Sequence, residues 1–274
     1  AAGKGVIIVN NKTDATECVK NIMSKKIFGN SGKNIIIEEF LEGEEISFFA
    51  LVDTNGFVLP LTTAQDHKKI GEGDKGLNTG GMGAYSFVPF IKQKNIREFT
   101  KKFIEPVINH LKLKNIFFSG IFYAGLMLAQ DGPKLLEINV RFGDPEAQAI
   151  LPRLKTDLLN LLFAATTGKL NQFKKLEWDD NFCINVVMAS KGYPKTYKKN
   201  TIINGLNKIS DNKSEYIFHS STKKNNDQWL ATGGRVISIS SLGSTLKIAK
   251  DNAYNVIKKI DWKNSYYRKD IGWR

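Results

Sequence analysis

The feature that most restricts the fold is a pair of β-type runs, Gly120 to Ala129 and Lys134 to Val140, joined only by Gln130-Asp131-Gly132-Pro133. Two such runs around a turn signal belong in the core sheet of a domain. Side chains alternate along a strand, so Glu137, Asn139 and Arg141 should share one face, with Leu136, Ile138, Val140 and Phe142 buried on the other. Gly143-Asp144-Pro145 then marks a sharp exit. The competing reading is an edge strand with polar residues outward, and burial of the opposite face argues against a free edge. A carboxylate beside an amide oxygen suits a hard cation such as Mg²⁺, which takes one or two protein groups and completes its shell with substrate phosphates. The Arg141 guanidinium next to them can fork onto a carboxylate.

Elsewhere the pattern alternates between strand and helix. Val6 to Val9 reads as a strand, and Thr13 to Met23 as a helix capped by Thr13 or Asp14. Asn34 to Phe40, Glu45 to Val52 and Phe57 to Leu61, punctuated by Glu42-Gly43 and Asn55-Gly56, read as an antiparallel meander. Gly71 to Gly83 holds six glycines and few apolar residues. That is too long and polar for a simple turn, and loops of this kind inside compact domains carry function. Ile91 to Leu113 has helical spacing around Pro106, and Pro145 to Thr167 is helical with a break near Pro152. Polar Asn171 to Asp180 reads as a linker, placing a domain boundary near residue 180. Beyond it, strands at Phe182 to Ala189, Glu215 to Ser220 and Arg235 to Ser240, with a helix over Thr245 to Ile260, make a small α+β module.

Two further segments carry candidate chemistry. In Ala1-Ala2-Gly3-Lys4-Gly5-Val6, glycines around a lysine let backbone N–H groups approach phosphate oxygens, although a plain glycine turn is the alternative and the P-loop spacing is missing. In Ile35 to Ser47 a hydrophobic strand runs into five acids and a second strand. The strand period turns Glu39, Glu42 and Glu44 to solvent and leaves Glu38 and Glu45 as candidates.

Composition excludes several classes. The net charge of +13 invites a nucleic-acid reading, but only six of the 40 basic residues are arginine, the residue suited to base reading and phosphate forks. The lysines form short clusters such as Lys198-Lys199 and Lys223-Lys224 beside polar residues, with no basic-aromatic motif, so no nucleic-acid partner is expected. Cys18 and Cys183 form no CxxC pair, which disfavours a disulfide scaffold or zinc site and fits a reducing cytoplasm. The longest uncharged apolar run, Ile116 to Ala129, falls short of the roughly 20 residues that span a bilayer. Residue 1 is alanine and no secretory signal follows it, so the chain is expected to be truncated rather than targeted. Of the three histidines only His67 lies near a suspect loop, and a hydrolase triad has no support.

Taken together, the glycine loop, Glu38 to Ser47, Gln65-Asp66-His67-Lys68, Asn78-Thr79-Gly80-Gly81-Met82-Gly83-Ala84-Tyr85 and Glu137 to Glu146 resemble the ATP-grasp core of glycinamide ribonucleotide synthetase. Lys191-Gly192-Tyr193-Pro194, Thr232-Gly233-Gly234-Arg235-Val236 and Arg268-Lys269-Asp270-Ile271-Gly272-Trp273 resemble that family's carboxy-terminal domain, so the likeness runs the whole length. It implies an α+β fold with a partial nucleotide-binding subdomain over 1–44, an ATP-grasp catalytic core over 45–179 and a carboxy-terminal α+β domain over 180–274. It also implies ATP as cofactor, with Gly3, Lys4 and Gly5 over the phosphates, Glu38 and the Leu41 backbone at adenine, and Glu45 at the ribose. Glu137 and Asn139 would bind Mg²⁺ or Mn²⁺. Asp66, His67, Lys68, Asn78, Thr79, Gly80, Gly81 and Met82 would surround phosphoribosylamine, with backbone amides and Lys68 on its phosphate. Arg141 and Asp144 would hold glycine by its two ends, and these two with Lys68 are the candidate catalytic residues. The implied reaction is ligation of glycine to phosphoribosylamine through glycyl phosphate, by a cytoplasmic enzyme expected to be monomeric. Another ATP-grasp carboxylate–amine ligase is the alternative among enzymes, and a basic nucleic-acid-binding module outside them. Two departures stand out: Gly125 occupies the place where many ATP-grasp enzymes carry an acidic metal ligand on the neighbouring strand, and the chain is expected to begin after both the family's Rossmann-like amino-terminal domain and the strand that bears its phosphate-binding lysine. The isolated chain is therefore expected to ligate weakly or not at all.

Overall fold

The computed structural model describes residues 5–209 and 214–273, so Gly3 and Lys4 lie outside the described residues. The chain opens with helix α1 (Lys12–Val19), capped by Asn11, whose side chain accepts from the Asp14 amide, and continues into a π-helical turn at Lys20–Ser24. Strands β1 (Glu44–Val52) and β2 (Val58–Asp66) form a hairpin. Its turn is held by Asp53 Oδ1, which accepts from the Asn55 and Phe57 amides at 2.9 Å, with Gly56 at φ +74°. Short strands β3 (Lys69–Gly71), β4 (Lys75–Asn78) and β5 (Gly83–Ser86) follow. Helices α2 (Gln93–Phe99) and α3 (Glu105–Leu113) flank a π-helical turn at Thr100–Ile104. Pro106, in the first turn of α3, has no N–H to return to a carbonyl one turn back, and the ladder widens ahead of it.

The hairpin foreseen between residues 120 and 140 is β6 (Gly120–Ala129) with β7 (Gly132–Asn139), and α4 (Glu146–Ile150) and α5 (Leu158–Thr166) succeed it. The remainder comprises β8 (Phe182–Ser190), β9 (Thr201–Ile203), β10 (Glu215–His219), β11 (Thr222–Asn225), β12 (Gln228–Ala231), β13 (Arg235–Gly243), α6 (Leu246–Ile257) and β14 (Ser265–Tyr266). Nine strands make one sheet in the order β10-β13-β8-β5-β2-β1-β6-β7, with β14 added on β8. Hydrogen bonding passes unbroken from β5 to β8 across residue 180.

Both faces of β1 are covered, which is why it reads as a continuous apolar run rather than an alternating one. Ile46, Phe48, Ala50 and Val52 pack with Phe122, Ala124 and Leu126 against Phe99, Phe103, Ile104 and Ile108 of the α2–α3 layer. Phe49 and Leu51 pack with Ile121 and Tyr123 against Ile150, Leu161, Ala164 and Ala165. A third cluster joins Ile184, Val186 and Met188 of β8 and Ile237 and Ile239 of β13 to Ala249, Ala253, Val256 and Ile257 of α6.

Several expectations are corrected. Val6 to Val9 and Asn34 to Phe40 are not strands, and Ile36 and Ile37 are 85% and 86% exposed. A strand exists through its neighbour's hydrogen bonds, and neither run has a paired neighbour among the described residues. β7 is the terminal strand of the sheet. Ile138 and Val140 are 39% and 68% exposed, because the cluster beneath the α2–α3 layer contains residues of β1 and β6 but none of β7. The glycine-rich stretch is partly ordered as the β3–β4 hairpin. Strands β9, β11 and β12 form a separate three-stranded sheet that the polar sequence around Lys223-Lys224 did not announce. No helix among the described residues is long and apolar enough to cross a membrane.

Candidate active site

Cross-strand register gathers the predicted residues. Ser47 lies opposite Ala64 on one side and Gly125 on the other, and Gly125 in turn faces Glu137. Because side chains opposite one another share a face, Glu45 and Ser47 of β1, Asp66 of β2, Tyr123 of β6, and Glu137 and Asn139 of β7 come to one side of the sheet. Gly125 matters to this packing: a Cβ there would stand 3.0 Å from Glu137 Cγ. Arg141 does not continue the row. β7 ends at Asn139, and the exposed Arg141 guanidinium instead donates to the Phe142 carbonyl at 2.8 Å.

At the end of β2, the Lys68 ammonium is ion-paired with Glu45. Burial works against the Lys68 charge, but Glu45, Asp66 and Glu137 together outweigh it and the pKa lies above the usual lysine value. Gln65 donates to Glu44 Oε2 and the Glu45 carbonyl at 2.9 Å and accepts from the Tyr85 hydroxyl, bracing this strand end from inside. Glu146, which opens α4, is buried beside Asp66 and accepts from Ser47 Oγ at 2.8 Å, while Ser47 Oγ lies 3.1 Å from Tyr123 Oη. Gly143 makes the room: a Cβ there would come within 2.2 Å of Glu146 Oε2. Desolvation first, then the Glu146 carboxylate, raise the Asp66 pKa well above the ordinary value, and desolvation raises Glu146 as well. Asp66 Oδ1 is buried without a hydrogen-bond partner among the described residues. Burial likewise pushes the Tyr123 phenol up.

The loop following β2 differs from what was expected of it. Met82 is fully buried in the β8 core, and the His67 ring is fully buried, its Nε2 accepting from the Gly272 amide at 3.0 Å. The amides of Thr79, Gly80, Gly81 and Met82 already donate, to the Lys68 carbonyl, Tyr193 Oη, Thr79 Oγ1 and the His67 carbonyl respectively. They are committed to shaping the loop rather than open to a phosphate, which leaves Lys68 as the loop's cation at the cluster. Asn78 is exposed at the end of β4, Glu38 is exposed, Leu41 is half-buried, and Gly5 sits in a turn at the start of the described chain. Glu38, Leu41 and Gly5 lie in segments outside the sheet.

Sequence reasoning missed two residues as contributors to the site. Glu146 was read only as the end of a motif, and the signal for it was Gly143 three residues earlier. Arg235, at the start of β13, forks onto Asp144, with Nη2 to Oδ2 at 2.8 Å and Nη1 to Oδ1 at 3.1 Å. The carboxylate expected to meet an ammonium is thus already held by a guanidinium. Among the described residues no group of three or more His, Cys, Asp or Glu side chains is placed to hold a metal ion.

Against known families, residues 1–147 match the phosphoribosylglycinamide synthetase ATP-grasp (A) domain and residues 183–274 the phosphoribosylglycinamide synthetase C domain. The chain belongs to the phosphoribosylglycinamide synthetase family. Curated relatives named phosphoribosylamine–glycine ligase are 44% identical over all of this chain in Rhizobium meliloti and 46% identical over 99% of it in Caldanaerobacter subterraneus. The chain spans 64% of the length of each. The solved phosphoribosylamine–glycine ligase of Thermotoga maritima superposes with a TM-score of 0.84 at 30% identity, over 99% of this chain and 67% of that one. The biotin carboxylase domain of Hydrogenobacter thermophilus 2-oxoglutarate carboxylase superposes with a TM-score of 0.73 at 12% identity, a likeness of fold. The α+β ATP-grasp architecture expected from sequence is thereby borne out for a member of this family.

Proposed function

We propose that this chain carries the catalytic face of an ATP-dependent ligase that joins glycine to 5-phosphoribosylamine. The observation that carries the reading is the convergence of Glu45, Asp66, Lys68, Glu137, Asn139 and Glu146 on one side of the sheet, in a chain whose relatives bear the ligase name. Glu45 would hold the ribose of ATP, and Glu38 with the Leu41 backbone its adenine. The glycine loop that ends at Gly5 would cover its phosphates. Glu137 and Asn139 would hold Mg²⁺ or Mn²⁺, since a carboxylate and an amide oxygen beside Gly125, which leaves Glu137 room, suit a hard cation. When bound, that cation neutralises charge on the transferring phosphoryl group.

Glycine's carboxylate attacks the γ-phosphorus, giving a mixed anhydride and ADP; the phosphoribosylamine nitrogen then attacks the carbonyl carbon, and phosphate leaves. No covalent enzyme nucleophile is needed. Lys68 neutralises phosphate charge, Asp66 faces the amine, and Asp144 with Arg141 borders the glycine end. Lys68 must part from Glu45 to do so, or share it with the ligand. The enzyme works in the cytoplasm as a monomer.

The test is ADP release from ATP and glycine by the chain supplemented with the remaining third of a matched relative, with and without phosphoribosylamine. Stimulation by phosphoribosylamine supports the reading. Stimulation by a different amine instead assigns the site to another carboxylate–amine ligation.

A further inference from the structure

We propose that Arg235 is a positioning residue for this site, acting through Asp144 and the Gly80–Gly81 loop. The proposal rests on the ligase reading for its functional meaning, while its geometry stands independently. Beyond the fork on the Asp144 carboxylate, Arg235 Nη1 donates to the Asp144 carbonyl at 2.9 Å and the Gly80 carbonyl at 2.7 Å, and lies 3.4 Å from the Gly81 carbonyl. One side chain, 20% exposed, thus ties β13 to a loop 155 residues earlier and to a turn 91 residues earlier. A planar guanidinium presents donors in two directions at fixed angles, which an ammonium on a flexible stem does not.

The two tied segments meet at Asp66. A Cβ on Gly81 would fall 2.7 Å from Asp66 Oδ1 and 2.3 Å from Pro145 Cδ, so the loop packs at once against that carboxyl group and against the Pro145 ring of the turn. Gly80 is matched to the arginine in the same way, since a Cβ there would lie 2.9 Å from the guanidinium carbon. Arg235 holds this arrangement in register and keeps the Asp144 carboxylate oriented and neutralised. The buried Asp66 Oδ1, which has no hydrogen-bond partner among the described residues, sits directly behind this loop.

The test is amide hydrogen exchange on the chain as it stands. In Arg235→Ala, exchange across 79–83 and 143–147 rises at least ten-fold while β1 and β8 keep their protection. Arg235→Lys gives no rescue, and adding Asp144→Asn to Arg235→Ala produces no further rise. Millimolar guanidinium restores protection in Arg235→Ala and methylammonium does not, a response that loss of general stability would not give. Unchanged exchange in both segments, a rise spread over β8 and β13, or absence of guanidinium rescue would each overturn the proposal. Failure of phosphoribosylamine to stimulate ADP release would count against the ligase reading and leave the exchange result to decide the role of Arg235.

Discussion

Gly81 shows how little room exists around the Asp66 carboxylate. It adopts φ +107°, and a methyl group there would strike Pro145 and both Asp66 oxygens. Gly81→Ala therefore combines backbone strain with overpacking, a loss on the order of 3 kcal/mol, readable as a lowered denaturant midpoint. Glu146 makes a prediction about pH. Its folded pKa is raised above the usual value of 4.5, chiefly by burial. Between that value and the raised one the folded state binds more protons than the unfolded state, so stability falls as pH rises through this window. Glu146→Gln, which can still accept from Ser47, should gain melting temperature over the parent as pH rises from about 4.5 toward neutrality. A difference independent of pH would contradict this. Period-two alternation made Glu45, Glu137 and Asn139 legible in the sequence. Arg235 was not, since its partners lie 91 and 155 residues away and no local pattern records such a pairing.

At the scale of elements, the carboxy-terminal stretch acts as a strap on the β3–β4 hairpin. Arg268 is fully buried and donates to Asp270 and Asp74 at 2.8 Å and to the Lys69 carbonyl at 3.0 Å, while Asp270 accepts from the Gly73 amide at 2.8 Å. Tyr266 Oη donates to the Ile70 carbonyl at 2.8 Å. Removing one partner of a buried pair strands the others, so Arg268→Ala should cost about 3–5 kcal/mol in equilibrium unfolding. Hydrogen exchange should rise first in 69–78. A loss below 1 kcal/mol would show that the strap is dispensable. Strands flanked by turn signals, such as β1, β6, β7 and β8, and helix α6 with its Thr245 cap, were legible because period and punctuation agreed. The run 34–40 has the composition of a strand, but composition cannot supply a neighbour. The small hairpins are polar and short, and their stability comes from what they lean on.

Over the whole molecule, the sheet that joins β5 to β8 makes residues 45–179 and 180–273 depend on one another. A fragment beginning at 180 exposes the β8 edge, and it should aggregate or fail to show a cooperative transition, whereas the intact chain unfolds with the sheet as a unit. Independent folding of that fragment would contradict the dependence. The net charge of +13 should give only salt-sensitive, sequence-independent binding to duplex DNA, with a Kd no tighter than about 10⁻⁶ M at physiological salt. The central claim is ligation through glycyl phosphate. Its most direct test uses glycine labelled with ¹⁸O in both carboxylate oxygens, in the supplemented protein with ATP and phosphoribosylamine. One ¹⁸O should appear in each inorganic phosphate released, and unlabelled phosphate would contradict the mechanism.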